Sequence, residues 1–231
     1  LTGNNLITNL TTTGSIGDLT FNNAQSFTSG AVTTAAGKTI NLSASGAGNS
    51  ITTTGAIATG AAGNISLTAD NLALGGNLSG TGTLTLQPKA TNRIVRVNSG
   101  ASDFNLSTAE LAYLVDGWGQ INLGRTDAIS GANLVLNSST WYDPLNIRGF
   151  YTQLAGTIAG LGNASFTLSS VLGAFTSAPT LSTQGGNIAI TSGYFAQASG
   201  NTNITTNGGS FSLTNANIDA ENETRSNRNS I

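Results

Sequence analysis

The 231-residue sequence has no cysteine, no methionine and no histidine, only three prolines, and charge on just 8% of its residues. These absences exclude thiol nucleophiles, Cys/His zinc sites and serine–histidine–acid triads. Eight basic residues and a net charge of −2 supply no field for nucleic acid or an anionic lipid surface. No apolar run approaches the roughly 18 residues of a membrane span, so membrane insertion is not expected either. Without cysteine the redox compartment cannot be read from disulfides, although a chain exported unfolded through an outer-membrane pore is better served without premature cross-links. The sequence opens at Leu1 with no basic segment ahead of an apolar run, and reads as a mature product or a piece of something longer.

What fills the chain instead is 34 Thr, 30 Gly, 27 Asn and 25 Ser, half of all residues. They are arranged in a short alternating unit, a turn residue followed by apolar–polar–apolar. Examples are Gly37-Lys38-Thr39-Ile40-Asn41-Leu42, Gly63-Asn64-Ile65-Ser66-Leu67, Gly82-Thr83-Leu84-Thr85-Leu86 and Gly119-Gln120-Ile121-Asn122-Leu123. Further on come Ala132-Asn133-Leu134-Val135-Leu136, Ala164-Ser165-Phe166-Thr167-Leu168, Gly186-Asn187-Ile188-Ala189-Ile190 and Gly209-Ser210-Phe211-Ser212-Leu213. Each is a period-2 strand with one apolar face. The first inward residues, 40, 65, 84, 121, 134, 166, 188 and 211, follow one another at steps of 25, 19, 37, 13, 32, 22 and 23. Short strands recurring near 22 residues with no helical period predict an all-β fold, a β-solenoid of roughly 20–25-residue coils. In it Ile40, Ile65 and Leu84 stack at about 4.8 Å, Gly and Asn make the corners, and Thr and Ser coat the outward positions. A β-sandwich of similar strands is the alternative. The solenoid is expected to occupy residues 1–220, with an aromatic and helical insertion around 103–151, and residues 221–231 are expected to form a polar tail that is disordered or leaves it.

The break in the pattern is Ser107-Thr108-Ala109-Glu110-Leu111-Ala112-Tyr113-Leu114-Val115-Asp116-Gly117, inside the 37-residue step. Ser107 and Glu110 form a capping box, Leu111, Leu114 and Val115 have helical spacing, and Gly117 can end the turn, which predicts one short inserted helix. The same stretch gathers Phe104, Tyr113, Trp118, Trp141, Tyr142, Phe150 and Tyr151, half of the fourteen aromatics.

Residues 111–127, with Asp116-Gly117-Trp118 and Ile121-Asn122-Leu123-Gly124-Arg125, followed by Trp141-Tyr142-Asp143-Pro144-Leu145-Asn146-Ile147, resemble a module of repetitive bacterial exoproteins related to filamentous haemagglutinin. That resemblance implies a right-handed parallel β-helix shaft and export by a partner outer-membrane transporter. It also implies a non-catalytic, adhesive place on the bacterial cell surface or in the extracellular matrix. No cofactor and no metal site is expected.

β-Helices also carry polysaccharide lyases and hydrolases, which need grouped carboxylates with a nearby cation. Asp116, Arg125, Asp127 and Asp143 are the one cluster that stacking coils could bring together; the competing reading has the acids bonding their own turns and Arg125 satisfying a coil edge. Trp118, Arg125, Trp141, Tyr142 and Arg148 are the candidate recognition surface, fit for a glycan or a neighbouring fibre if exposed, and core if buried. Thr11-Thr12-Thr13, Thr52-Thr53-Thr54, Thr83-x-Thr85 and Thr205-Thr206 raise ice binding, but their irregular steps argue against one threonine file. Because Leu1 to Ile7 starts directly in a strand-like pattern without a cap, further solenoid or another copy, end to end or lateral, is the expected partner.

Overall fold

The computed structural model describes residues 3, 5–100, 104–176, 178–197 and 201–218. The alternating segments are strands, numbered β1 to β24 in chain order, and every ladder among the described residues is parallel. Parallel stacking at intervals near 22 residues makes a β-solenoid and rules out the sandwich, whose sheets are antiparallel. The tail at 221–231 lies outside the described residues.

One face is hydrogen-bonded from end to end. It comprises β3 (Leu19–Asn23), β6 (Thr39–Ala44), β9 (Asn64–Thr68), β12 (Thr83–Gln87), β15 (Gln120–Gly124) and the first halves of β18 (Leu145–Leu154), β20 (Phe166–Phe175), β22 (Ile188–Gln197) and β24 (Phe211–Ile218). Its inward residues stack as Leu19, Ile40, Ile65, Leu84, Ile121, Leu145, Phe166, Ile188 and Phe211. A second column runs beside it from Phe21 and Leu42 to Ile190 and Leu213. Each coil covers the apolar residue of the coil below, so Ile40, Leu42, Ile65, Leu67, Leu84 and Leu86 are at most 1% exposed. Seven of the eight anchors read from the sequence lie in the first column; Leu134 does not, because it pairs with Val95 and Thr152 on another face.

The second face starts with β1 (Asn9–Leu10), β4 (Phe27–Ser29), β7 (Ser50–Thr53) and β10 (Asn71–Leu74), and the third with β2 (Ser15–Ile16), β5 (Val32–Thr34), β8 (Ile57–Thr59) and β11 (Leu78–Ser79). Both ladders then stop. Above the break the second face resumes with β14 (Phe104–Leu106), β13 (Val95–Val97), β16 (Asn133–Leu136) and the second halves of β18, β20, β22 and β24. The third resumes with β17 (Ser139–Trp141), β19 (Thr157–Gly160), β21 (Thr180–Ser182) and β23 (Asn203–Thr205). At the break the chain steps back on itself: after β12 it rises to β13, then returns so that β14 lies between β10 and β13. This back-step fills the 37-residue interval and makes a seam across two of the three faces.

The inserted helix is one turn, α1 (Thr108–Leu111), shorter than the 107–117 expected. The capping box forms as predicted. The Ser107 hydroxyl accepts from the Glu110 N–H at 3.3 Å, and the Glu110 carboxylate accepts from the Ser107 N–H at 2.9 Å. The helix stops because Leu114 forms a parallel bridge with Leu78, where the Leu78 N–H reaches Tyr113 O at 2.8 Å and the Val115 N–H reaches Leu78 O at 3.0 Å. Extending the third face by one pairing wins over further helical turns. Among the described residues before β1, the strand-like start shows an isolated bridge, Asn5 to Asn23, and Leu1, Thr2 and Asn4 lie outside them.

Candidate functional site

At the seam, side chains replace the missing ladders. The second oxygen of the Glu110 carboxylate accepts from the Leu74 N–H at 3.0 Å, satisfying the open edge of β10. On the third face the Asp143 carboxylate accepts from the Gly117 N–H at 2.9 Å. Asp143 is buried, and burial pushes its carboxyl up to about 6; the Asp116 carboxylate beside it pushes the same way, and the Gly117 and Trp118 backbone N–H groups pull back. At the neighbouring corner the buried Asp70 carboxylate accepts from the Gly48 N–H below at 2.8 Å and the Ala90 N–H above at 2.7 Å.

The four residues of the enzyme-like cluster separate into two pairs at opposite ends of β15. Asp116 and Asp143 adjoin where β15 and β18 begin, and Arg125 and Asp127 pair where β15 ends. Arg125 holds Asp127 two-pronged, Nε to Oδ1 and Nη2 to Oδ2 at 2.7 Å each, which keeps the Asp127 carboxyl below the usual range. Its Nη1 donates to the carbonyl oxygens of Pro88 and Lys89 at 3.1 Å each, tying the loop after β15 to the loop after β12.

The candidate recognition residues also divide. Trp118 is 1% exposed and Trp141 2%, so both indoles belong to the core and not to a platform. Trp118 packs over Gly80, where an added Cβ would meet the indole at 2.7 Å, and the Trp141 Nε1–H donates to the Ser139 hydroxyl at 3.0 Å. Tyr142 alone of the three aromatics faces solvent, at 51%. Arg125 and Arg148 do come together. They border one shallow recess, with room for about one water, together with Arg93, which the sequence pattern does not mark, and Pro88, Val95 and Leu134 beneath it are buried. Arg93 donates from Nε to Asp70 O at 3.2 Å and from Nη2 to the Asn71 amide oxygen at 2.7 Å. With the Asn146 amide oxygen turned toward it, Arg148 donates from Nε at 3.1 Å and Nη2 at 2.8 Å.

The outward positions of the continuous face read Thr20, Asn41, Ser66, Thr85, Asn122, Asn146, Thr167, Ala189 and Ser212 in register, a mixed polar row and not a file of threonine. Comparison of the chain with protein-family models, with curated proteins and with solved structures found no match.

Proposed function

We propose that this chain is a shaft segment of a secreted bacterial fibre, at the cell surface or in the extracellular matrix, that acts by extension, display and adhesion and catalyses no reaction. The observation that carries this reading is the uninterrupted parallel ladder of the first face, nine strands whose inward residues form one apolar column. A column built this way lengthens by adding coils without changing its cross-section, which suits a spacer. The Thr, Ser and Asn coat hydrates evenly along it. The resemblance of residues 111–127 and 141–147 to filamentous haemagglutinin-like exoproteins supports the same reading, with an outer-membrane transporter as export partner and neighbouring solenoid segments as structural partners. Immunogold labelling with antibody raised against this chain tests it: label along filaments projecting from the cell is the expected result. Label confined to the cell interior overturns it.

A further inference from the structure

The outward row of the continuous first face holds only Thr, Asn, Ser and Ala, and the outward row of the second face below the seam reads Asn9, Thr28, Thr52 and Ala73. One column departs from this coat. On the second face above the seam, Asn133, Tyr151, Leu172 and Tyr194 share one register position on the successive strands β16, β18, β20 and β22. They point outward, because the residues that follow the first three, Leu134, Thr152 and Gly173, are buried. The inward columns are apolar already, so the core does not account for these rings. Tyr151, Leu172 and Tyr194 are each half-buried, and beside them the residues that the ladder skips, Phe150 and Val171, add apolar surface, Val171 being 52% exposed.

Spacing and charge narrow what such a strip can hold. Rungs of the ladder are about 4.8 Å apart, so the two tyrosines stand about 9.6 Å apart along the shaft with Leu172 between them. The Gln153 amide donates to the Tyr151 hydroxyl at 3.4 Å, which leans the ring along its own strand. The neighbouring outward column, Val135, Gln153, Ala174 and Ala196, is mostly short. None of the described outward residues of the second face from β16 to β22 is charged. A charged polymer finds no counter-charge there, and nucleic acid, which also stacks on rings, needs cations beside them. The matching partner is uncharged and presents flat C–H faces at the tyrosine interval. An extended β-1,4-linked glycan has that form: each sugar is turned over relative to the last, so the same face returns at every second unit, close to two rungs of the ladder. Its C–H groups pack on the electron-rich ring faces, and its hydroxyls suit the Asn133 and Gln153 amides.

We infer that the outer second face above the seam binds a neutral β-1,4-linked glycan lying along the shaft, with Tyr151 and Tyr194 under alternate sugar units and Leu172 under the unit between them. This goes beyond the fibre reading and does not rest on it, because glycan binding is measured on the isolated chain and filament labelling on the cell. The experiment is an NMR titration of the isotope-labelled chain with cellohexaose, chitohexaose and the α-linked, helical maltohexaose. Saturable shifts at the Tyr151, Leu172 and Tyr194 amides are expected with cellohexaose or chitohexaose, the tighter of the two naming glucose or N-acetylglucosamine as the unit. They should persist at high salt, since no charge takes part. Tyr151→Ala and Tyr194→Ala should each weaken binding about fivefold, and Tyr151→Phe should keep most of it. Tyr142→Ala, which removes an exposed ring off the column, should bind as the parent does. Thermal unfolding of each variant checks that the fold is intact. No saturable shift at a few millimolar hexasaccharide, equal binding of maltohexaose, or binding indifferent to both alanine variants overturns the inference. Concentration-dependent dimers of the free chain that Tyr194→Ala dissolves would assign the strip to a second copy and overturn it as well.

Discussion

Below the seam a coil is built from three short strands with a sharp corner between the first and second faces; above it the two faces fuse into the long strands β18, β20 and β22 of ten residues each. The inward columns of the first face pass through both regions in unbroken register, so the apolar pattern does not decide the difference. The corners do. In the lower region the Asn23 amide donates to Ile7 O and Gln25 O, Asn49 to Ala24 O, and Asn71 to Gly48 O, each at 2.8 or 2.9 Å, while Asp70 collects two backbone N–H groups. These side chains satisfy backbone groups that the bend takes out of the ladder. In the upper region the ladder skips one position after Gly149, Ser170 and Ser192 and then runs on, and the lighter tie there is the Ser192 hydroxyl donating to Tyr194 O. One coil length therefore supports two cross-sections, selected by which residues stand at a single corner.

Four substitutions test that contrast, beginning with the largest expected effect. Trp141→Ala, at the start of the upper third face, should cost about 4 kcal/mol in urea unfolding by leaving a core cavity. Tyr142→Ala next to it should stay within about 0.5 kcal/mol because the ring is exposed. Asp70→Ala should cost about 2 kcal/mol, since it removes a buried carboxylate that accepts from the Gly48 and Ala90 N–H groups, whereas Ser192→Ala at the matching upper position loses one hydroxyl bond to Tyr194 O and should cost about 1 kcal/mol. Equal losses would show that the lower corner is not held by its clasp.

At the seam the test is pH. The Asp143 carboxyl, raised to about 6 from 3.8, binds its proton more tightly in the native state than in the unfolded chain. Stability from this group is therefore fullest below the unfolded value and is lost as pH rises to the folded value, a change of about 3 kcal/mol. Asp143→Asn keeps an oxygen for the Gly117 N–H and removes the charge, so it should flatten that slope and unfold later than the parent at pH 7; a parental slope in the variant would assign the titration elsewhere. At Thr152, fully buried with an unpartnered hydroxyl, the sign reverses: Thr152→Val should add about 1 kcal/mol of stability in urea unfolding.

Much of the shaft was legible because turn residue plus apolar–polar–apolar marks a buried strand wherever it occurs. The pattern does not say which face the strand joins, which is why Leu134 was placed in a column it does not share, and why Leu145, introduced by Pro144 and not by Gly or Asn, was passed over. The capping box at Ser107 and Glu110 was read correctly from local chemistry, but the helix length was not, because Leu114 is claimed by Leu78, 36 positions earlier. The site was half visible. Arg125 and Arg148 flank recognisable strands, but Arg93 reaches them only through the back-step of β13 and β14, and nothing local in Ala90-Thr91-Asn92-Arg93 announces it. The burial of Trp118 and Trp141 likewise follows from coils above and below, which spacing along one chain does not specify.

The seam also sets how the rod carries load. A beam fastened along three edges resists bending in every direction; fastened by a backbone ladder along one edge only, it has a preferred axis of flexure. At this level the first face keeps its ladder through β12, β15 and β18, while across the other two faces the join includes side-chain ties, Glu110 to Leu74 and Asp143 to Gly117. Tension along the shaft is borne by the first face, and a sideways push that opens the opposite side strains those ties first, so the rod has a built-in elbow beside the arginine recess.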